Sequence, residues 1–142
     1  MMTVTRKLEF DAGHRVHKHE SKCGTLHGHR YVAEITASAP ELDALGRVID
    51  FSVLKQKIGA WIDEFWDHTT LVYGLDEVTL KCLKAMPRHK EPFVCHFNPT
   101  AENMAHYLLN EVCPLLMQGT GITITKIRLF ETPNCYAEVT LT

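Results

Sequence analysis

The stretch KCGTLHGHR, residues 22–30, sets one thiol, Cys23, beside two imidazoles, His27 and His29. On an extended strand alternate side chains share a face, so His27 and His29 leave the same side, about 7 Å apart at Cα. Two imidazoles so placed can converge on one ion, and His14 offers a third nitrogen. Three neutral histidines with an open fourth position are the ligand set of a catalytic zinc site. His17 and His19 form a rival H-x-H, but within the polar run RVHKHESKCG, where solvated rings are expected. Cys23 reads in two ways. A thiol of pKa about 8.5 is a poor base near neutrality unless a metal or cations such as Arg15, Lys18 and Lys22 lower it. Alternatively, Cys23 is a fourth zinc ligand that closes a structural site.

Two further groups suit proton transfer or recognition. Asp67 and His68 make a base-and-orienter pair at the end of a helical pattern. Glu131 closes the apolar run IRLFE. A carboxylate at that depth wants partners, and the paired N–H donors of a guanidine-like edge would satisfy it.

The elements that must position these residues follow from periodicity. Val4, Leu8, Phe10 and Ala12 share one parity, opposite Thr3, Thr5, Lys7 and Glu9, which predicts a half-buried strand. His14 has the apolar parity if the strand passes Gly13, where a bulge or an end is expected. A second strand is predicted from Leu26 to Ser38. Leu54, Ile58, Trp61, Ile62 and Phe65 recur at helical spacing behind Ser52 as N-cap. A second helix starts at Thr100 and carries Met104, Leu108, Val112 and Leu115, with Pro114 expected to kink or end it. ITITKIRLFE and CYAEVTL read as two last strands joined by the turn TPN. In the first of them the apolar parity switches between Ile124 and Ile127, through a bulge or burial on both faces. Within 71–97, DEVTLKCLKAM suggests a short helix and FVCHF a short strand. The order ββααββ predicts an α+β domain spanning 1–142, an antiparallel β-sheet with two helices packed on one face. Its unpaired sheet edges suggest a homo-oligomer.

Composition narrows the function classes. A length of 142 residues and 45% hydrophobic content support one ordinary hydrophobic core. A formal net charge of -2 gives no reason to expect nucleic acid as a partner. No apolar run approaches the ~20 residues of a membrane span. MMTVTRKLEF carries no signal-peptide core, so a cytoplasmic location is expected. The five cysteines are scattered without a C-x-x-C pair, which argues against a disulfide framework or a zinc finger.

FDAGH, CGTLHGH, WDH, PTAEN and the E-T of LFETPNC occur in an order that resembles the 6-pyruvoyltetrahydropterin synthase superfamily, across nearly the whole chain. Three residues between Cys23 and His27 make it most similar to the 6-carboxytetrahydropterin synthases of queuosine biosynthesis. The resemblance implies a T-fold whose trimers close their sheets into a barrel and stack as a hexamer. It implies Zn2+ on His14, His27 and His29, with Cys23 left unligated as a proton-transfer base. It implies a second proton relay of Asp67 and His68, brought across a subunit boundary. It also implies that Glu131, helped by Thr100 and Glu102, holds the pterin edge. The implied reaction converts 7,8-dihydroneopterin triphosphate to 6-carboxytetrahydropterin, releasing acetaldehyde and triphosphate; Arg15, Lys18, Lys22 and Arg30 are candidates for meeting the triphosphate. A pyruvoyl-type synthase, eliminating triphosphate alone, and a non-catalytic zinc-stabilised pterin-binding protein are the alternatives. The stretch 71–97 is longer than in compact members and would alter substrate choice if it folded over the site.

Overall fold

The computed structural model describes residues 1–87 and 90–142. Six strands form one sheet in the order β4-β3-β1-β2-β5-β6. They are β1 Thr3–His14, β2 His27–Ser38, β3 Thr69–Tyr73, β4 Phe93–Cys95, β5 Thr123–Thr132 and β6 Cys135–Thr140. Three helical runs accompany them: α1 over 51–65, α2 over Glu77–Ala85 and α3 over 101–116.

Alternation builds the core. Leu8, Phe10, Ala12 and His14 of β1 are buried, as are Tyr31, Ala33, Ile35 and Ala37 of β2. The antiparallel register pairs Phe10 with Tyr31, Ala12 with His29 and His14 with His27. All six therefore share one face, and the apolar ones join a single core with Leu54, Ile58 and Ile62 of α1 and Met104 and Leu108 of α3. Full burial of each large apolar side chain contributes about 1.5–3 kcal/mol. The opposite face is polar: the hydroxyls of Thr5 and Thr36 meet at 2.9 Å, and Arg30 donates to Asp11 at 3.0 Å.

The α+β class follows the sequence pattern, whereas the wholly antiparallel sheet is corrected. The 71–97 stretch, whose residues 88 and 89 lie outside the described ones, supplies most of β3 and all of α2 and β4. β3 pairs with β1 in parallel and β4 with β3 in parallel, so the sheet is mixed and a third helix is present. A five-residue run such as TTLVY has too little periodicity to announce a strand whose partner lies far back in sequence.

Other local expectations resolve physically. α1 starts at Phe51 because the Asp50 carboxylate, not Ser52, is the N-cap and accepts from the Ser52 amide at 2.8 Å. β1 runs through Gly13 without interruption. Thr100 caps α3 as expected, accepting from the Asn103 amide. α3 passes Pro114 and ends at Leu116; a π-helical stretch, Leu108–Val112, lies just upstream. The parity switch in β5 is a bulge, since Thr36 pairs with Lys126 and Ala37 with Ile124, leaving Thr125 unopposed.

Asp76, 1% exposed, caps α2, accepting from the Thr79 amide and hydroxyl, and it receives both Nε and Nη2 of Arg15 at 2.6 and 2.8 Å. Burial pushes its carboxyl up, but the bonds from Arg15 and Thr79 outweigh this and hold it at about 2. Such a depressed group stabilises the fold above its unfolded pKa near 4 by about 2 kcal/mol, lost as pH falls through about 2. Urea unfolding from pH 6 to 2 should show this acid loss, and Asp76→Asn should flatten it.

No helix among the described residues is long and apolar enough to cross a membrane.

Candidate functional site

The cross-strand register brings His14, His27 and His29 together, each offering a ring nitrogen within 4.8 Å of the other two. His14 is 1% exposed, while His27 and His29 are half-buried. Nδ1 of His14 lies 2.6 Å from the Pro99 carbonyl, and Nδ1 of His27 lies 2.6 Å from that of Thr25. A carbonyl only accepts, so each Nδ1 carries the proton and each neutral ring keeps its lone pair on Nε2. Burial, with His27 and His29 alongside and against the bond to Pro99, lowers His14 to about 4. Burial also lowers His29. The rings of His14 and His29 are therefore neutral near pH 7.

The ring nitrogens lie close together: Nε2 of His27 is 3.1 Å from Nε2 of His29, and the buried Nε2 of His14 has no hydrogen-bond partner among the described residues. Ligand nitrogens about 2.05 Å from a tetrahedral ion are about 3.3 Å apart. The donor set, its protonation and its orphaned nitrogen all fit a divalent cation, and the carbonyls of Pro99 and Thr25 orient the rings.

Glu131 approaches the cluster from β5, its carboxylate oxygens 3.9 Å from Nε2 of both His14 and His29. It shares the parity of the buried Ile127 and Leu129 and sits at a second bulge. Phe130 pairs with Tyr136 but Thr132 with Cys135, so Glu131 is the extra residue at this point. Glu131 also lines a cavity of about 290 Å³ with Glu102 and Tyr136. Thr100 is not among the residues lining it, its hydroxyl being engaged as the cap of α3.

Cys23 lies in a short 3-10 turn, Lys22–Gly24, half-buried and outside the group formed by the three histidines. Its turn is tied to the end of β1, since the Val16 amide donates to the Cys23 carbonyl at 2.8 Å.

Asp67 and His68 occupy a different place. Oδ1 of Asp67 accepts from the Asp11 amide at 2.9 Å, Oδ2 is 3.0 Å from Nδ1 of His68, and the His68 amide donates to the Asp11 carbonyl at 2.6 Å. His68 has the left-handed φ of 57° and projects outward. His68 borders a cavity of about 520 Å³ that is also lined by Asp11, Gly13, Gly28, Arg30 and Thr70, and by His27 and His29. Among the described residues no hydrogen bond or ion pair joins the pair to the histidines of its own chain. Arg30 is engaged with Asp11 and Arg15 with Asp76, whereas Lys18 and Lys22 are exposed.

Several participants escaped the sequence reading. The carbonyls of Pro99 and Thr25 carry no residue-type signal. Asp11 was visible within FDAGH, but nothing linked it to Asp67. Tyr31 packs edge-on against His14 and His29, its buried hydroxyl without a partner among the described residues; burial and the nearby Glu131 raise it well above the usual phenol range.

The sequence model of the family described as 6-pyruvoyl tetrahydropterin synthase matches residues 3–141. A Rickettsia bellii protein named 6-carboxy-5,6,7,8-tetrahydropterin synthase is 44% identical over 139 residues, covering 98% of this chain and 100% of that protein. Among solved structures, an uncharacterized protein of Wolinella succinogenes superposes with a TM-score of 0.81 at 24% identity, covering 98% of this chain and 97% of that one. The Caenorhabditis elegans 6-pyruvoyl tetrahydropterin synthase superposes with a TM-score of 0.69 at 23% identity, over 99% and 96% of the two chains. At these identities the two structures show the shared fold.

Proposed function

From its membership of the 6-pyruvoyl tetrahydropterin synthase family, to which this chain belongs, we propose that it is a zinc-dependent 6-carboxy-5,6,7,8-tetrahydropterin synthase. The observation that carries the metal-dependent reading is the convergence of three imidazoles, one with a buried nitrogen that has no hydrogen-bond partner among the described residues. The name of the Rickettsia bellii relative favours the carboxy product over the pyruvoyl one, as does the C-x-x-x-H-G-H spacing. The position of Cys23 outside the histidine group favours an enzyme over a closed zinc-binding protein.

The substrate is 7,8-dihydroneopterin triphosphate. With one water it yields 6-carboxytetrahydropterin, acetaldehyde and triphosphate, and the atoms balance without an external oxidant or reductant. The pterin ring gains the hydrogens that the side chain loses. His14, His27 and His29 would hold zinc, which supplies Lewis acidity toward the side-chain oxygens of the substrate. Glu131 accepts two N–H bonds from the amino-pyrimidine edge and orients the ring, with Glu102 beside it. Thr100 contributes by starting α3 next to Pro99, whose carbonyl orients His14. Cys23, as thiolate, takes a proton from the substrate side chain, and the Asp67–His68 pair moves a second. His68 is largely exposed, and among the described residues no hydrogen bond or ion pair joins the pair to the histidines of its own chain, which supports a homo-oligomer, a hexamer, whose subunits complete one another's sites. The place of action is the cytoplasm, in queuosine biosynthesis.

The test is incubation of zinc-loaded protein with 7,8-dihydroneopterin triphosphate and identification of products. Acetaldehyde with 6-carboxytetrahydropterin is expected. A pyruvoyl product without acetaldehyde would move the reaction to the pyruvoyl type, and no turnover would refute the enzyme. In the same assay Glu131→Gln, which keeps one acceptor and adds a donor, should lower kcat/KM on the order of 10- to 100-fold, from the ~1.5–3 kcal/mol of a charged hydrogen bond. Its zinc content should be unchanged. Equal kcat/KM in the variant would remove Glu131 from substrate recognition.

A further inference from the structure

The described residues of the 71–97 excursion do not roof the candidate site. None of the residues lining the cavity at Glu131 belongs to it, nor do any of those lining the cavity at His68. Its polar residues reach elsewhere, and two of them bear on the turns that carry the groups assigned to proton transfer.

The first is Asp76. Its buried carboxylate grips Nε and Nη2 of Arg15 as a two-point fork, while Thr79 holds it from α2. A planar guanidinium bound at two points has no freedom to swing. The free edge of Arg15 turns toward the Cys23 turn, with Nη1 3.5 Å from the Gly24 carbonyl. The next amide, that of Val16, donates to the Cys23 carbonyl. Arg15 and Val16 thus hold two successive carbonyls of the Cys23 turn, and Asp76 fixes Arg15. The second residue is Lys90. Its ammonium donates to the Asp63 carbonyl at 2.8 Å and to the Asp67 carbonyl. The chain must reverse there from the end of α1 into β3, and His68 pays for the reversal with a left-handed backbone. Lys90 pins the peptide between Asp67 and His68 from one side, and Asp11 holds the pair from the other.

We propose that the 71–97 excursion is a positioning brace: Asp76, through Arg15, sets the turn that carries Cys23, and Lys90 sets the turn that carries Asp67 and His68. The proposal rests on the proton-transfer roles assigned above. A brace acts through geometry, so its loss should lower kcat and leave KM and zinc content alone; displacements of ~1 Å cost up to about 100-fold.

The experiment compares Asp76→Asn and Lys90→Met with the unaltered full chain, each loaded with zinc. It reads Cys23 alkylation by iodoacetamide, amide hydrogen exchange at His68, and kcat and KM. Asp76→Asn should change the Cys23 alkylation rate about threefold to tenfold and leave His68 exchange unchanged. Lys90→Met should speed His68 exchange about tenfold and leave Cys23 alkylation unchanged. Each should lower kcat on the order of 10- to 100-fold with KM within about twofold, and Lys90→Arg should recover most of the loss. If Asp76→Asn fails to fold, Arg15→Lys removes the two-point fork while sparing the cap of α2. A folded variant with unaltered kcat, or unaltered in its own probe, would overturn the brace. Both probes moving in both variants would also overturn it, since that is general loosening. No turnover by the unaltered chain, with the two separate probe responses intact, would refute the enzymatic reading while the positioning of the two turns stood.

Discussion

Replacing His14 by alanine should strip the protein of bound zinc and abolish turnover, with kcat/KM falling at least ~1,000-fold. The size of the effect follows from what this ring does at each end. Its Nδ1–H satisfies the Pro99 carbonyl just ahead of α3, and it offers one of three ring nitrogens that lie within 4.8 Å of one another. Loss of an outer-shell partner alone costs about 10- to 100-fold in metal affinity, and here a ligand is lost as well. The variant should also lose stability, about 2–4 kcal/mol, because a cavity opens at a position 1% exposed and the Pro99 carbonyl is left unpaired. Elemental analysis beside product formation decides the matter. A folded His14→Ala protein with full zinc stoichiometry would remove His14 from the ligand set.

Cys23→Ala should give the complementary result: zinc content kept, kcat reduced by about 100- to 10,000-fold, the range of a single acid–base group. The half-buried turn holding Cys23 is anchored through backbone carbonyls, to the Val16 amide and Arg15. Removing the thiol therefore leaves the turn's fastenings in place. Only the group that takes the proton is lost. Loss of zinc from Cys23→Ala would make the thiol a ligand and favour the non-catalytic binding protein. Retained zinc with full turnover would assign the proton to another base.

The convergence of the histidines was legible because the two-residue period of a strand is a local property. His27 and His29 had to share a face, and His14 followed from the parity of Phe10 and Ala12. Thr100 as a cap was legible for a similar reason, since the hydroxyl bonds an amide three residues on. Glu131 was legible as a carboxylate out of place at the end of an apolar strand. The bulge at which it sits was not, because a bulge is a mismatch between two strands and only the register of β5 against β6 exposes it.

The residue types at the candidate centre and the parity that gathers three of them were thus determined by the sequence itself. These depend on side-chain chemistry and on spacing within single strands. Tertiary structure alone decided that the 71–97 excursion adds parallel strands, that Asp76 acts through Arg15 on the Cys23 turn and Lys90 reaches the Asp67 turn, and that carbonyls of Pro99 and Thr25 set the tautomers of His14 and His27. The physical reason is that such contacts join residues far apart in the chain or engage backbone groups. Every residue carries a carbonyl, and only packing determines which one faces an imidazole.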